Sequence, residues 1–180
     1  MITDRERETA LALLERSRGA VLKAIDGVSE EQVRWRPSPE RWSILEYVEH
    51  LAVSDDGLVA LVKKSLGSPE KIETDEERRT REQKMRETVV PRGVNRAPEH
   101  LRPVARFQTL AEAVTAFLAA MERTIEFARS TTDELRRHFT PHPVFGQMDG
   151  YQWLCGNARH AENHAKHVIE IREMAGFPEI

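Results

Sequence analysis

Four stretches of roughly 20 residues place apolar side chains three and four positions apart, the spacing that lines one face of an α-helix. The predicted helices span Thr3–Asp26, Trp42–Leu66, Thr109–Ser130 and Met148–Ile171. Thr3, Ser43 and Thr109 each stand three residues before a Glu, which is the capping-box pattern of a helix N-terminus. Since no convincing strand pattern accompanies them, we predict an all-α fold, a four-helix bundle.

The segment between the second and third predicted helices, Pro69–Arg106, is called the connection below. Its part Asp75–Thr88 is rich in charge and is predicted to form either a short exposed helix or a solvated loop. Prolines and a glycine then interrupt any longer element, at Pro91, Gly93, Pro98 and Pro103. A crossover of this length allows consecutive helices of a bundle to run parallel.

Shorter stretches complete the predicted fold. Ser29–Val33 is predicted to form one helical turn that ends at two prolines, with Trp35 packed over the end of the bundle. Phe139–Asp149, which contains Pro141 and Pro143, is predicted to be a loop.

Length, charge and cysteine content limit the expected domain count, partners and location of the protein. The 180 residues are expected to form a single domain over 1–180, and a net charge of −3 gives no reason to expect nucleic acid as a partner. No run approaches the roughly 20 apolar residues that span a bilayer, and the first residues lack an apolar signal core. Cys155 is the single cysteine, so an intrachain disulfide is excluded. We therefore expect a cytoplasmic protein without a membrane partner.

The fourth predicted helix carries two histidines one turn apart, His160 and His164. They fall on a face expected to point to the core, together with Trp153, Asn157, Val168 and Ile171. A buried imidazole needs a partner, which is either another polar group or a metal ion shared by the pair. The metalloprotease pattern H-E-x-x-H is excluded, because Glu162 lies roughly 200° around the helix from His160.

For His50 and Cys155, the spacing alone gives little evidence for or against metal binding. His50 lies at the border of the face predicted to be the inner face of the second helix, formed by Tyr47, Leu51, Ser54, Leu58 and Leu61. A lone histidine there is typical of a surface residue or of one satisfied by hydrogen bonds. Cys155 lies roughly 140° around the helix from His160 and is predicted to be a small packed residue rather than a ligand.

Two segments together resemble a known family. The first is W-x-P-x-x-x-x-W-S-I-x-E-x-x-x-H-L, from Trp35 to Leu51. The second runs from His142 as H-P-x-F-G and continues through Trp153-Leu154 to H-x-x-x-H-x-x-H-x-I, ending at Ile169. Their order and spacing resemble the DinB-like superfamily, which includes YfiT-type metal-dependent hydrolases. The resemblance covers the four predicted helices, and therefore most of the chain outside the connection.

The resemblance implies a four-helix bundle in which His50, His160 and His164 bind one divalent metal ion. Members of the family often have Gln where this chain has His167, which leaves the role of that side chain open. His142 matches a loop position of the family and is expected to be structural or to line a pocket.

Three neutral imidazoles suit Zn²⁺ or Ni²⁺ better than Fe²⁺ or Mn²⁺, and three protein ligands leave positions open for water or substrate. Such an ion activates water or holds a thiolate. The resemblance therefore implies a metal-dependent hydrolase or a thiol-dependent S-transferase acting on a small molecule, with a low-molecular-weight thiol as co-substrate in the second case. The alternative is a non-catalytic, stress-associated metal-binding or interaction protein. No general base is evident, since Glu49 is next to His50 but points elsewhere on the helix.

Two further expectations concern His167 and assembly. The α-carbons of His160 and His167 are about 10 Å apart along a helix. A metal–nitrogen bond is only about 2.0–2.1 Å long, so His167 is not expected to be a metal ligand. It is expected instead to orient a neighbouring side chain or to line the pocket beside the open coordination position. A homodimer is also expected, because the third helix has apolar residues on more than one side, at Val114, Phe117, Leu118, Ile125 and Phe127.

Overall fold

The structure is a computed structural model that describes residues 1–87 and 97–179. In chain order the elements are α1 (Asp4–Ala24), α2 (Glu30–Arg34), α3 (Ile44–Ser65), α4 (Asp75–Glu87), a 3-10 turn (Glu99–Leu101), α5 (Leu110–Ser130), β1 (Phe139–His142), β2 (Gly146–Asp149) and α6 (Gly150–Arg172). Each end of the long helices α1, α3, α5 and α6 lies within two residues of its predicted position.

Side-chain caps explain where the long helices begin. The Ser43 hydroxyl accepts the Glu46 N–H, and the Glu46 carboxylate accepts the Ser43 N–H at 2.8 Å, which forms the predicted capping box. Thr109 caps α5 in the same way, but the Glu112 carboxylate instead accepts the N–H of Gln108 at 2.7 Å. These caps satisfy N–H groups that have no partner within the helix, so they fix the first turn.

Cross-helix contacts give the direction of each long helix. Arg16 contacts Glu162 and Arg172 reaches the carbonyl of Ala24, so α1 and α6 run parallel. Asp56 pairs with Arg123, and the Lys63 ammonium lies over the Phe127 ring, so α3 and α5 are also parallel. Contacts of His50 with His160, and of Val62 at the position of Gly150, make α3 and α6 antiparallel. The predicted four-helix bundle, with a crossover between its second and third long helices, is confirmed.

The core face of α6 overlaps the predicted face only in part, since Asn157, Val168 and Ile171 are buried as predicted. The buried residues of this helix include Leu154, Ala158, Ala161, Ala165 and Val168, whereas His160 and His164 are half-buried at the flank of that face. On α3, Tyr47, Ser54 and Leu61 are only half-buried, while His50 is 3% exposed. Both helices are therefore rotated relative to the predicted faces, and this rotation turns the histidines of α6 toward His50.

The segment Phe139–Asp149, predicted to be a loop, is a two-stranded antiparallel hairpin. Phe139 pairs with Asp149 and His142 pairs with Gly146. Gly146 has a φ of +72°, a left-handed conformation that glycine adopts without steric cost. Proline is tolerated in a strand of this kind because both strands of the hairpin are edges.

Of the two alternatives predicted for Asp75–Thr88, the structure shows the short exposed helix, over Asp75–Glu87. This helix, α4, has no buried residue and is held to the bundle by arginine contacts. Arg136 pairs with Glu82, and the Arg159 side chain donates to the carbonyl of Met85 at 2.9 Å. The predicted breaks at Pro91 and Gly93, and the predicted end at Thr88, lie outside the described residues.

Two remaining features concern the ends and the surface. Trp35 packs edge-on against Phe177, with ring centroids 5.6 Å apart, next to the C-terminal turn after α6. Within the described part of the chain, no helix combines the length and the apolar character needed to cross a membrane.

Candidate metal centre

The three histidines from the two separate motifs meet between α3 and α6. His160 Nε2 lies 3.1 Å from His50 Nε2 and 3.0 Å from His164 Nε2. The antiparallel course of the two helices brings His50 level with the turn of α6 that carries His160 and His164. We call these side chains the three-histidine cluster.

A backbone carbonyl fixes the tautomer of His50. Its Nδ1 lies 2.8 Å from the carbonyl oxygen of Leu101, and because a carbonyl only accepts hydrogen bonds, Nδ1 must carry the proton. In the neutral ring the proton is then absent from Nε2, whose lone pair points toward His160. This arrangement, with one ring nitrogen bonded to the backbone and the other left free, is typical of histidine ligands of metals.

The nitrogen contacts in the cluster are too close for protons alone to satisfy. His160 Nε2 is within hydrogen-bonding distance of two other Nε2 atoms, but a neutral imidazole nitrogen carries at most one proton. One proton satisfies one of the two contacts, and in the other contact no proton then bridges the two nitrogens. A cation shared by all three nitrogens would satisfy both contacts.

Burial keeps the cluster neutral. Desolvation lowers the pKa of His160 to about 3, and positive charge on His50, His142 or His167 would lower it further. Desolvation also places the pKa of His164 well below its usual value and lowers that of His50, where the Leu101 hydrogen bond acts in the opposite direction. At neutral pH the three rings are therefore in the neutral form that binds metals.

Aromatic rings surround the cluster on the side of the α3 N-terminus. The Trp42 ring centroid lies 4.9 Å from that of His50, and the Tyr47 ring centroid lies 5.2 Å from that of His164. His167 follows on α6, with its ring centroid 5.7 Å from that of Tyr47. These rings form a wall beside the histidine nitrogens.

His142 has a structural role in the hairpin turn. Its Nδ1 accepts the N–H groups of Val144 at 3.1 Å and Phe145 at 3.2 Å, and its ring packs on Phe145 and Trp153. Because Nδ1 is the acceptor, the proton of the neutral ring is on Nε2. Cys155 is not in the cluster; it is half-buried next to Tyr151, and desolvation raises the pKa of its thiol to about 11.

Sequence reasoning missed a buried acid one layer below the cluster. Asp55 on α3 is 1% exposed, and desolvation raises its pKa to about 7. The amide of Asn157 on α6 faces it and partly offsets this rise. No atom of the described residues is in good hydrogen-bond geometry to either carboxylate oxygen. A charged residue inside an apolar face has no periodic signal, so only the structure identifies it.

Two of the three nitrogen pairs in the cluster, those that include His160, meet a simple distance test for a shared ion. Two nitrogens that each bind one ion at about 2.0–2.1 Å cannot be more than about 4.2 Å apart. The two contacts of His160, at 3.0 and 3.1 Å, satisfy this limit. Ligand atoms of the three residues all lie within 4.8 Å of one another, and His167 is not part of this group.

The protein is therefore a four-helix bundle in which three histidines from two antiparallel helices converge. The family model of the DinB superfamily matches residues 13–168, and the chain belongs to this superfamily. The resemblance inferred from the two motifs is thereby confirmed.

Individual relatives are more distant. The uncharacterized protein YuaE of Bacillus subtilis strain 168 is 26% identical over 164 residues, which cover 91% of this chain and 97% of YuaE. YfiT from Bacillus subtilis, described as a probable metal-dependent hydrolase with an unusual four-helix bundle topology, superposes with a TM-score of 0.64 at 16% identity. That match covers 99% of this chain and 92% of YfiT. TT2238, described as a four-helix bundle protein, matches with a TM-score of 0.55 at 20% identity, over 89% of this chain and 95% of its own.

Proposed function

We propose that this protein is a metal-dependent hydrolase that binds one divalent ion through His50, His160 and His164 and acts on a small molecule. The observation that carries the proposal is the convergence of three neutral Nε2 atoms, two of whose contacts cannot both be satisfied by protons. The description of YfiT as a probable metal-dependent hydrolase supports the same assignment.

The chemistry of the ligands limits the choice of metal. Neutral imidazoles suit Zn²⁺ and Ni²⁺, which we propose as the ions, ahead of Fe²⁺ and Mn²⁺. When bound, an ion of this kind supplies Lewis acidity and lowers the pKa of water. Three protein ligands leave coordination positions open, which is typical of catalytic rather than structural sites.

We assign roles in substrate binding to three side chains around the cluster and exclude a fourth as a general base. The rings of Trp42 and Tyr47 exclude water from one side of the cluster and give a flat surface for an apolar part of the substrate. His142 keeps its proton on Nε2, where it can donate to a substrate oxygen. Glu49 does not serve as a base here, because its carboxylate is bound by Val104 and Arg106.

The metal content of the purified protein tests the proposal first. Elemental analysis should find about one divalent ion per chain, as expected for a single three-ligand site. Ester and amide hydrolysis is then assayed with and without added Zn²⁺ or Ni²⁺. Parallel reactions combine electrophiles with low-molecular-weight thiols. Metal-dependent thiol conjugation without hydrolysis would replace the hydrolase with an S-transferase, and bound metal without turnover of either kind would leave a metal-binding protein.

The substitution His167→Gln should leave metal binding intact. His167 is outside the group of nitrogens that converge, and its ring centroid lies 5.4 Å from that of His164. We expect the dissociation constant for Zn²⁺ to change less than about threefold, while activity changes because His167 borders the site. A loss of metal as large as that of His164→Ala would show that His167 is a ligand.

A homodimer is the remaining prediction, and its expected interface needs one correction. Three of the five apolar residues on which it was based are buried in the core of the chain, namely Phe117, Ile125 and Phe127. The outer side of α5 still has a shallow apolar groove, with Phe107, Ala111 and Thr115 among its lining residues. Light scattering at tens of micromolar should give twice the chain mass of 20.7 kDa. A monomeric mass would contradict the prediction.

A further inference from the structure

Glu49 is a buried carboxylate on α3, directly before His50, and it binds the described end of the connection. It is 1% exposed. Its Oε1 accepts the N–H of Val104 at 2.7 Å, and its Oε2 accepts the N–H of Arg106 at 3.2 Å. The Arg106 guanidinium adds an ion pair to Oε1 at 3.2 Å. Both oxygens are therefore used to hold one short segment of backbone.

The backbone of that segment is shaped around the carboxylate. Ala105, between the two donating residues, has a φ of +58°, a left-handed conformation that costs a residue with a side chain roughly 1 kcal/mol or more. This conformation turns the N–H groups of Val104 and Arg106 toward the same carboxylate. Two such N–H groups form an anion-binding concavity, which Glu49 fills.

Arg106 connects Glu49 to the backbone around Leu101, whose carbonyl accepts a hydrogen bond from His50. Besides Glu49, its guanidinium donates to the carbonyl of Arg102 at 3.1 Å and to that of His100 at 3.3 Å. These carbonyls flank Leu101, whose own carbonyl accepts the Nδ1 proton of His50 at 2.8 Å. Glu49 therefore contacts Arg106, and Arg106 contacts the 3-10 turn. That turn in turn contacts the ring of His50, the residue directly after Glu49.

We propose that Glu49 is a positioning residue for the three-histidine cluster: it holds the 3-10 turn so that the Leu101 carbonyl keeps His50 in the Nδ1–H tautomer with Nε2 facing His160. The value of this arrangement for metal binding rests on the function proposed above. The tautomer itself is a property of the metal-free protein. Outer partners of metal-binding histidines typically contribute 10- to 100-fold to metal affinity, and Glu49 acts through such a partner.

The test combines a spectroscopic and a binding measurement on the full chain. In the metal-free wild type, ¹⁵N NMR of the histidine rings should show His50 protonated on Nδ1. Glu49→Gln keeps the size of the side chain but turns one acceptor into a donor that faces a backbone N–H. We expect this variant to lose the single tautomer of His50 and to bind Zn²⁺ about 10-fold more weakly in a chelator competition.

Glu112→Gln is the matched control. Glu112 also accepts a backbone N–H just after the connection, from Gln108 at 2.7 Å, but among the described residues none of its hydrogen bonds leads to His50. Its Zn²⁺ affinity should stay within about twofold of wild type, as for a surface carboxylate with little net contribution. Arg106→Met tests the same chain of contacts in a side chain that is 36% exposed, and it should weaken Zn²⁺ binding less than Glu49→Gln does.

Two outcomes would overturn the proposal. One is a wild-type His50 protonated on Nε2, which needs no variant and does not depend on whether Glu49→Gln folds. The other is a folded Glu49→Gln protein with wild-type tautomer and Zn²⁺ affinity. A wild type that binds no divalent ion would refute the proposed function instead, and the NMR measurement would still decide the role of Glu49.

Discussion

His160→Ala should abolish metal binding, reducing the metal content from about one ion per chain to background. His160 is the central member of the cluster, since its Nε2 makes both of the close nitrogen contacts. Removing it leaves His50 and His164 without their common neighbour. In the wild type, Zn²⁺ at about 1,000 times its dissociation constant should add about 4.1 kcal/mol to the free energy of unfolding. The variant should show no such gain in a thermal melt with and without Zn²⁺.

His138→Ala is the control for this experiment. His138 is also half-buried and bonds a backbone carbonyl, that of Ser68 at 2.8 Å, but it is not part of the cluster. Its metal content should equal that of wild type. If His160→Ala retained its metal and its Zn²⁺-dependent stabilisation, the assignment of the site would be wrong.

Asp55→Asn should stabilise the metal-free protein at pH 8 by about 2–4 kcal/mol, from 1.36 kcal/mol per unit of pKa shift. Burial raises the pKa of Asp55 from 3.8 to about 7. Because the pKa of Asp55 is higher in the folded than in the unfolded state, its protonated side chain stabilises the folded state fully below about pH 4. This contribution to the free energy of unfolding is lost as the pH rises toward 7. Above pH 7 the folded protein holds a buried charge, and asparagine removes that charge without changing the shape of the side chain.

Urea unfolding at pH 4, 6 and 8 in the presence of a chelator measures this effect. The buried histidines contribute a slope of opposite sign, because their lowered pKa values weaken the folded state as the pH falls. The quantity of interest is therefore the difference between variant and wild type, which should be small at pH 4 and largest at pH 8. Asp56→Asn, at the exposed neighbouring position, should show a difference near zero at every pH. An equal response of the two variants would contradict the assignment.

The parts of the fold that were predicted correctly depend on local signals. Apolar spacing and capping residues such as Ser43 and Thr109 placed the long helices within two residues of their observed ends. The pairing of His160 with His164 followed from helical spacing. That His50 belongs with them was implied only by the family resemblance, because no local pattern links residues 110 positions apart.

The parts that were missed have no periodic signal. Glu49 and Asp55 are charged yet buried, so the apolar pattern of α3 favoured an adjacent face of the helix. The prolines at 141 and 143 hid the hairpin, although proline fits a strand that is an edge. The Leu101 contact involves a backbone carbonyl, and every residue has one, so the sequence cannot single it out.

The small residues of α6 bear on how closely its histidines approach those of another helix. Distances between helix axes depend on the side chains at the contact, within a range of about 8–10 Å. Ala158, Ala161 and Ala165 lie on the core face of α6, and their small side chains permit a separation near the lower limit. The imidazole arm is short, and two rings on opposite helices reach a common point only at a narrow range of separations. For the ion proposed above, we therefore expect the accepted radius to depend on side chains in the core as well as on the histidines.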